Sequence, residues 1–188
     1  MKVAGIDVSP GHAYLAISAP LIQCPPSEPI ESHAKLAVAD IPALCAGCSI
    51  VIVETPEVGM GWKPAAVRNV MQTIQTCGEI YGMLQGKLPD STWIVKVSPA
   101  IIREYVVGIH RGSKGKHDGR IKDWLKHTHC KERFGCSSSH DTEYRRRLFT
   151  AKGSLSTADK RDAYLAALFG EQLLASRMMQ IEILGAVL

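Results

Sequence analysis

The chain has 188 residues, 46% of them hydrophobic, and a formal net charge of +4. That length holds one domain with a real core and is too short for two full-sized ones. The hydrophobic fraction argues against disorder, no apolar run is long enough to span a bilayer, and "MKVAGIDVS", with an Asp inside its apolar run, lacks the form of a signal peptide, so a cytoplasmic protein is expected.

"KVAGIDVS" (2–9) reads as a buried strand, and "HAYLAIS" (12–18) follows after the turn pair Pro10-Gly11, so the two predict a hairpin. A proline-rich loop runs from Pro20 to Pro29. "SHAKLAVA" (32–39) alternates weakly and suggests a third strand. "SIVIVE" (49–54) is a β-branched run of the kind buried on both faces of a sheet, ended by Pro56. Residues 64 to 85 predict a long helix. Pro64 suits its first turn, and Val67, Val70, Ile74, Cys77, Tyr81 and Leu84 form one apolar stripe. Gly78 and Gly82, four apart, would let that helix approach a neighbour closely. "TWIVKV" (92–97) predicts a strand, and Ser98-Pro99 caps a helix over 99–107. Residues 116–127 are expected to be helical and 128–153 to be a basic irregular insert. In "STADKRDAYLAALFGEQLLA" (156–175), Ser156 is a good cap. Asp159, Asp162, Ala166, Phe169 and Leu173 follow at helical spacing. The order predicts a single α/β domain with a five-stranded mixed sheet flanked by helices.

Charge is segregated. Residues 103–161 hold 15 Lys/Arg against 7 Asp/Glu, and the rest of the chain holds 7 against 11. A basic half beside an acidic one suggests a polyanionic partner. The six cysteines (24, 45, 48, 77, 130, 136) are expected to be reduced thiols, with the lone Cys45-x-x-Cys48 too weak a motif for metal or redox chemistry.

Three carboxylate positions sit where a charge is expensive. Asp7 interrupts a buried strand and by alternation shares a face with Val3 and Gly5. Glu54 ends another. Asp159 and Asp162, three apart, share one face of the last helix. Each has a plain alternative. Asp7 could open the turn, Glu54 could be solvated, Asp159 could form a capping box with Ser156, and Asp162 could pair with Lys160 or Arg161. Together they suit a hard divalent cation that prefers oxygen ligands.

"VAGIDVSPGHAYLAI", "IVIVETP", "VSPAIIREYVVGIHRGSK" and "TADKRDAYLAAL" resemble, in order and spacing, the RuvC family of Holliday-junction resolvases, over residues 2 to about 175. The resemblance implies an RNase H-like fold and a magnesium- or manganese-dependent endonuclease with two ions per site. It implies a homodimer, joined through helix 64–85, that nicks two strands of four-way DNA junctions symmetrically. Asp7, Glu54, Asp159 and Asp162 would be the metal ligands. In "YVVGIHRGSKGK" (105–116), Arg111, Lys114 and Lys116 would face phosphates, with Lys114, or Lys116 beside it, near the scissile one. Arg145, Arg146 and Arg147, with Arg120, Lys122 and Lys126, would track the junction arms through backbone contacts.

Two departures stand out. Where relatives place an aromatic wedge, this chain reads "ETPEVGMGW", so Met60 or Trp62 would have to take the place of Glu57. His127, His129, Cys130, Cys136 and His140 are zinc-type ligands, but their spacing matches no standard finger. A sugar kinase or ATPase relative would need further glycine-rich loops and a second domain. A non-catalytic DNA-binding relative would have no need of all four carboxylates. A nuclease for flaps, forks or RNA–DNA hybrids is also compatible with the sequence.

Overall fold

The computed structural model describes residues 2–18, 31–56, 64–110, 117–129, 149, 155–176 and 179–180. Strands β1 (Lys2–Ser9) and β2 (His12–Ser18) form the expected hairpin, and Gly11, at φ +75°, supplies the left-handed residue its turn needs. β3 (Glu31–Leu36), β4 (Cys48–Glu54) and β5 (Trp93–Val97) complete a sheet in the order β3-β2-β1-β4-β5. The pairings of β1 with β2 and β2 with β3 are antiparallel; those of β1 with β4 and β4 with β5 are parallel. The mixed five-stranded sheet is therefore as expected.

Strand alternation divides the core in two. Ala4, Ile6, Val8, Val51 and Val53 face a layer made by the short α1 (Ile41–Leu44) and the long α2 (Pro64–Lys87). Val3, Ile50 and Ile52 face the other layer, made by α3 (Pro99–Val107), α4 (His117–Trp124) and α5 (Ala158–Ala175). A π-turn over Leu125–His129 continues α4. No helix among the described residues is long and apolar enough to cross a membrane.

Ser98 caps α3 by accepting the Ile101 amide, as predicted. Gly108 closes it at φ +72°, with its own N–H on Glu104 O and that of Ile109 on Arg103 O. Two expectations need correction. The cap of α5 is Thr157, whose side chain accepts from Lys160 N at 3.3 Å. Ser156 instead meets Lys160 Nζ, so Asp159 has no capping box. On α2, the core face is Cys77, Ile80 and Leu84, while Val67, Val70, Ile74 and Tyr81 are only half-buried. The N-terminal half of the helix contributes no side chain to the buried core among the described residues. Among the described residues nothing approaches Gly78 or Gly82 closely: a Cβ at either meets nothing within 4 Å. The close-approach glycines are Gly5 and Gly170, where α5 lies on the sheet.

Candidate active site

β1 and β4 run parallel with Ile6 opposite Val53. The next step along both strands sets Asp7 beside Glu54 at their C-terminal ends. Alternation turns both toward α5, since Gly5 and Ile52 already face it. Tyr14 of β2 stands opposite Asp7, and Val97 of β5 opposite Glu54. α5 brings its first turn, with Asp159 and Asp162, to the same end of the sheet. Its amide ends favour acids there. The helix gets this close because the facing surface is small: Gly5 on the strand, Ala163, Ala166, Ala167 and Gly170 on the helix.

The electrostatics record how near the acids are. Burial pushes the Asp7 carboxyl up to about 8, and the charges of Asp162 and Asp159 add to the rise. Burial, then Asp7 and Asp162, drives Glu54 well above the carboxylate range; its side chain is inside the protein. Asp162 is pushed up to about 6 by burial, with Arg103 opposing and Asp118 and Asp159 assisting. Burial and the charges of Asp159 and Asp7 raise the Tyr14 phenol as well. Among the described residues no cationic side chain makes an ion pair with Asp7, Glu54, Asp159 or Asp162. Arg161, weighed as a partner of Asp162, reaches Asp118 instead.

Sequence reasoning missed Arg103. From α3, its charge lowers Asp7, Glu54 and Asp162 alike. A single Arg on an amphipathic helix carries no local mark of this. Its position one turn before Val107-Gly108, and so just before the basic stretch, is the one hint in the chain. Tyr14 was missed for the same reason, since only strand pairing brings it to Asp7.

The donor set suits a divalent cation in kind and in charge. It offers four carboxylates, hard oxygen donors, from three separate elements with no cation paired to them. The acids do not close into a finished coordination shell: no three His, Cys, Asp or Glu side chains among the described residues gather at ligand spacing.

Arg120 is exposed on α4, and Lys122 is half-buried. Lys126 lies with its Nζ 5.5 Å from the Phe149 ring, so its charge is turned in part toward the protein rather than toward a passing strand. Arg111, Lys114, Lys116, Arg145, Arg146 and Arg147 lie outside the described residues, as do Met60 and Trp62. So does most of the expected insert at 128–153. Of the zinc candidates, Cys130, Cys136 and His140 also lie outside. His127 is exposed. His129 is buried, stacks on Trp124 at 5.0 Å, and has Nε2 3.0 Å from the Tyr164 hydroxyl, which occupies one of its two ligating nitrogens.

No protein-family model and no curated protein sequence matches the chain. Solved structures do. The structure of Thermus thermophilus RuvC overlaps it with a TM-score of 0.51 at 12% identity, covering 93% of this chain and 96% of that one. T. thermophilus RuvC in complex with a Holliday junction substrate gives 0.50 at 13% identity, covering 95% and 97%. The fowlpox virus Holliday junction resolvase gives 0.49 at 12% identity, covering 92% and 99%. The fold is thus the RNase H-like fold of the RuvC structures.

Proposed function

We propose that the chain is a member of the RuvC family and a metal-dependent endonuclease that hydrolyses phosphodiester bonds in branched DNA, four-way junctions above all. The observation that carries this reading is the set of four acids from β1, β4 and α5, without an ion-pair partner among the described residues, at one end of a RuvC-like sheet. Asp7, Glu54, Asp159 and Asp162 would hold Mg²⁺ or Mn²⁺, two ions per site. Such ions supply an activated water and a stabilised leaving oxygen when bound. The chain's own residues do the rest. The four acids fix where the reacting phosphate can sit. Arg103 offsets their charge from α3 and offers a cation to that phosphate from the same side. Arg111, Lys114 and Lys116 follow on the same stretch of chain, with one of the lysines beside the scissile phosphate. Arg120 and Arg145 to Arg147 hold the arms through the backbone.

The homodimer belongs to the same proposal. The N-terminal half of α2 carries Val67, Val70, Ile74 and the 54%-exposed Met71. Gly78 and Gly82 leave open space on the helix, which suits a second copy lying against it.

The test is cleavage of a synthetic four-way junction beside linear duplex and flap controls, in Mg²⁺, Mn²⁺ or EDTA. Paired nicks that vanish in EDTA are expected. Equal cleavage of flaps and forks would make it a general debranching nuclease. Tight junction binding without any cleavage would leave only a binding module. Arg103→Ala is expected to lower the single-turnover rate about 10²-fold, the scale for losing one preorganised charge at a reacting phosphate. Removing a cation that lowers both Asp7 and Asp162 must also raise both, so the rising limb of the pH–rate profile moves to higher pH. A rate loss with an unmoved limb would detach Arg103 from the acids.

A further inference from the structure

α4 carries Arg120 and Lys122, and α5 carries Asp159 and Asp162. One buried arginine joins them. Arg161 is 5% exposed, although it is a charged residue one position before Asp162. Its Nε and Nη2 donate to Asp118 Oδ1 at 3.0 and 2.6 Å, and its Nη1 donates to Leu155 O at 2.9 Å. Asp118 lies in the first turn of α4. Leu155, itself buried, is in the lead-in to α5. One guanidinium therefore holds three pieces together: the start of α4, the lead-in to α5, and the first turn of α5, whose Arg161 amide bonds Thr157 O.

A buried guanidinium is a poor way to gain stability alone, because its desolvation offsets most of the attraction, and an apolar side chain of similar size packs as well or better. What it supplies is a fixed planar fork that sets direction as well as distance. Ile121 of α4 and Leu125 of the turn after it are buried in the core, and such apolar contacts carry no direction of their own; the fork adds one.

We propose that the Arg161–Asp118 pair is a positioning strut that sets α4, with its phosphate-facing Arg120 and Lys122, against the first turn of α5, so that DNA held by the one is presented at a fixed place to the acids of the other. This rests on the nuclease reading for its use, though not for its geometry, and the two are tested separately.

Hydrogen exchange on the free protein tests the geometry. In Arg161→Met, and in the milder Asp118→Asn at an exposed position, exchange is expected to rise at least tenfold at the amides of both α4 and residues 158–162, with β1 and β4 unchanged. A rise confined to α4, or none, overturns the strut. Single-turnover cleavage tests the use. Both variants are expected to bind a four-way junction within threefold of wild type and to cleave it at saturation at least tenfold more slowly. Arg161→Lys, which keeps the charge without the fork, should recover less than half of the loss. Weakened binding at unchanged cleavage, or full rescue by Lys, overturns it. If wild type cleaves nothing, the nuclease reading fails, and exchange still decides the strut.

Discussion

Asp7→Asn is expected to make the metal-free protein more stable while abolishing nicking. Asp7 titrates near 8 in the folded protein against an ordinary 3.8, chiefly from burial and then from Asp162 and Asp159. The folded state therefore keeps a proton that the unfolded chain has released over that range. Stability is whole below about pH 4 and falls as pH rises toward 8, because the unfolded state binds fewer protons there. Each unit of such a shift corresponds to about 1.4 kcal/mol, so the cluster costs the metal-free fold a few kcal/mol at pH 8.5. Asn keeps the size and removes the charge. Melting curves from pH 4 to 8.5 should show wild type losing stability along the series and Asp7→Asn losing much less. The two should converge at the acid end. Mg²⁺ should restore wild type at high pH through preferential binding to the folded state, and should do little for the variant. A wild-type melting temperature flat across that range would mean that the acids do not crowd one another.

Gly5→Ala should have the second large effect. A Cβ at Gly5 would sit 2.2 Å from both Ala163 O and Ala167 N, and neither is the end of a flexible side chain. α5 would have to move bodily. It has no slack on its other contact, since a Cβ at Gly170 would meet Val3 Cγ1 at 2.6 Å. Overpacking typically costs ~1–3 kcal/mol, and backbone obstruction belongs at the upper end or beyond. Because α5 carries Asp159 and Asp162 while β1 carries Asp7, the same shift spreads the acids apart. Urea denaturation should show the lost stability. Magnesium titration by calorimetry on the folded fraction should show affinity lost as well. Gly86→Ala is the contrast: it meets nothing within 4 Å on an exposed part of α2, outside the glycine pair offered to a second copy, and is expected to gain ~0.5–1 kcal/mol. Equal behaviour of the two variants would refute the close seat of α5.

The acids were legible because strand alternation is a local rule. Asp7 follows Val3 and Gly5, Glu54 follows Ile50 and Ile52, and a period of two fixes their face without knowledge of the fold. Ser98-Pro99 was legible for a similar reason, since a cap is written in adjacent residues. Arg103, Tyr14 and the Arg161–Asp118 pair were not, because each gains its meaning from a segment far away in the chain. Gly78 and Gly82, small residues four apart, mark a place where something can approach, without saying what. The approach inside this chain fell to Gly5 and Gly170, which sit singly and form no pattern.

The parallel pairing of β1 with β4 and the seating of α5 also have a meaning in time. Asp7 and Asp162 are more than 150 residues apart, so the acids cannot meet through any local contact, and such long closures come late in folding. A half-folded chain can form the β1–β2 hairpin and the α2 layer while its charges are still scattered in water. The repulsive cluster is complete only when α5 docks, and the same step brings the helix's buried face, Ala163 to Leu173, into the core around it. The cost of holding four acids together thus arrives in the same step as the packing that withstands it.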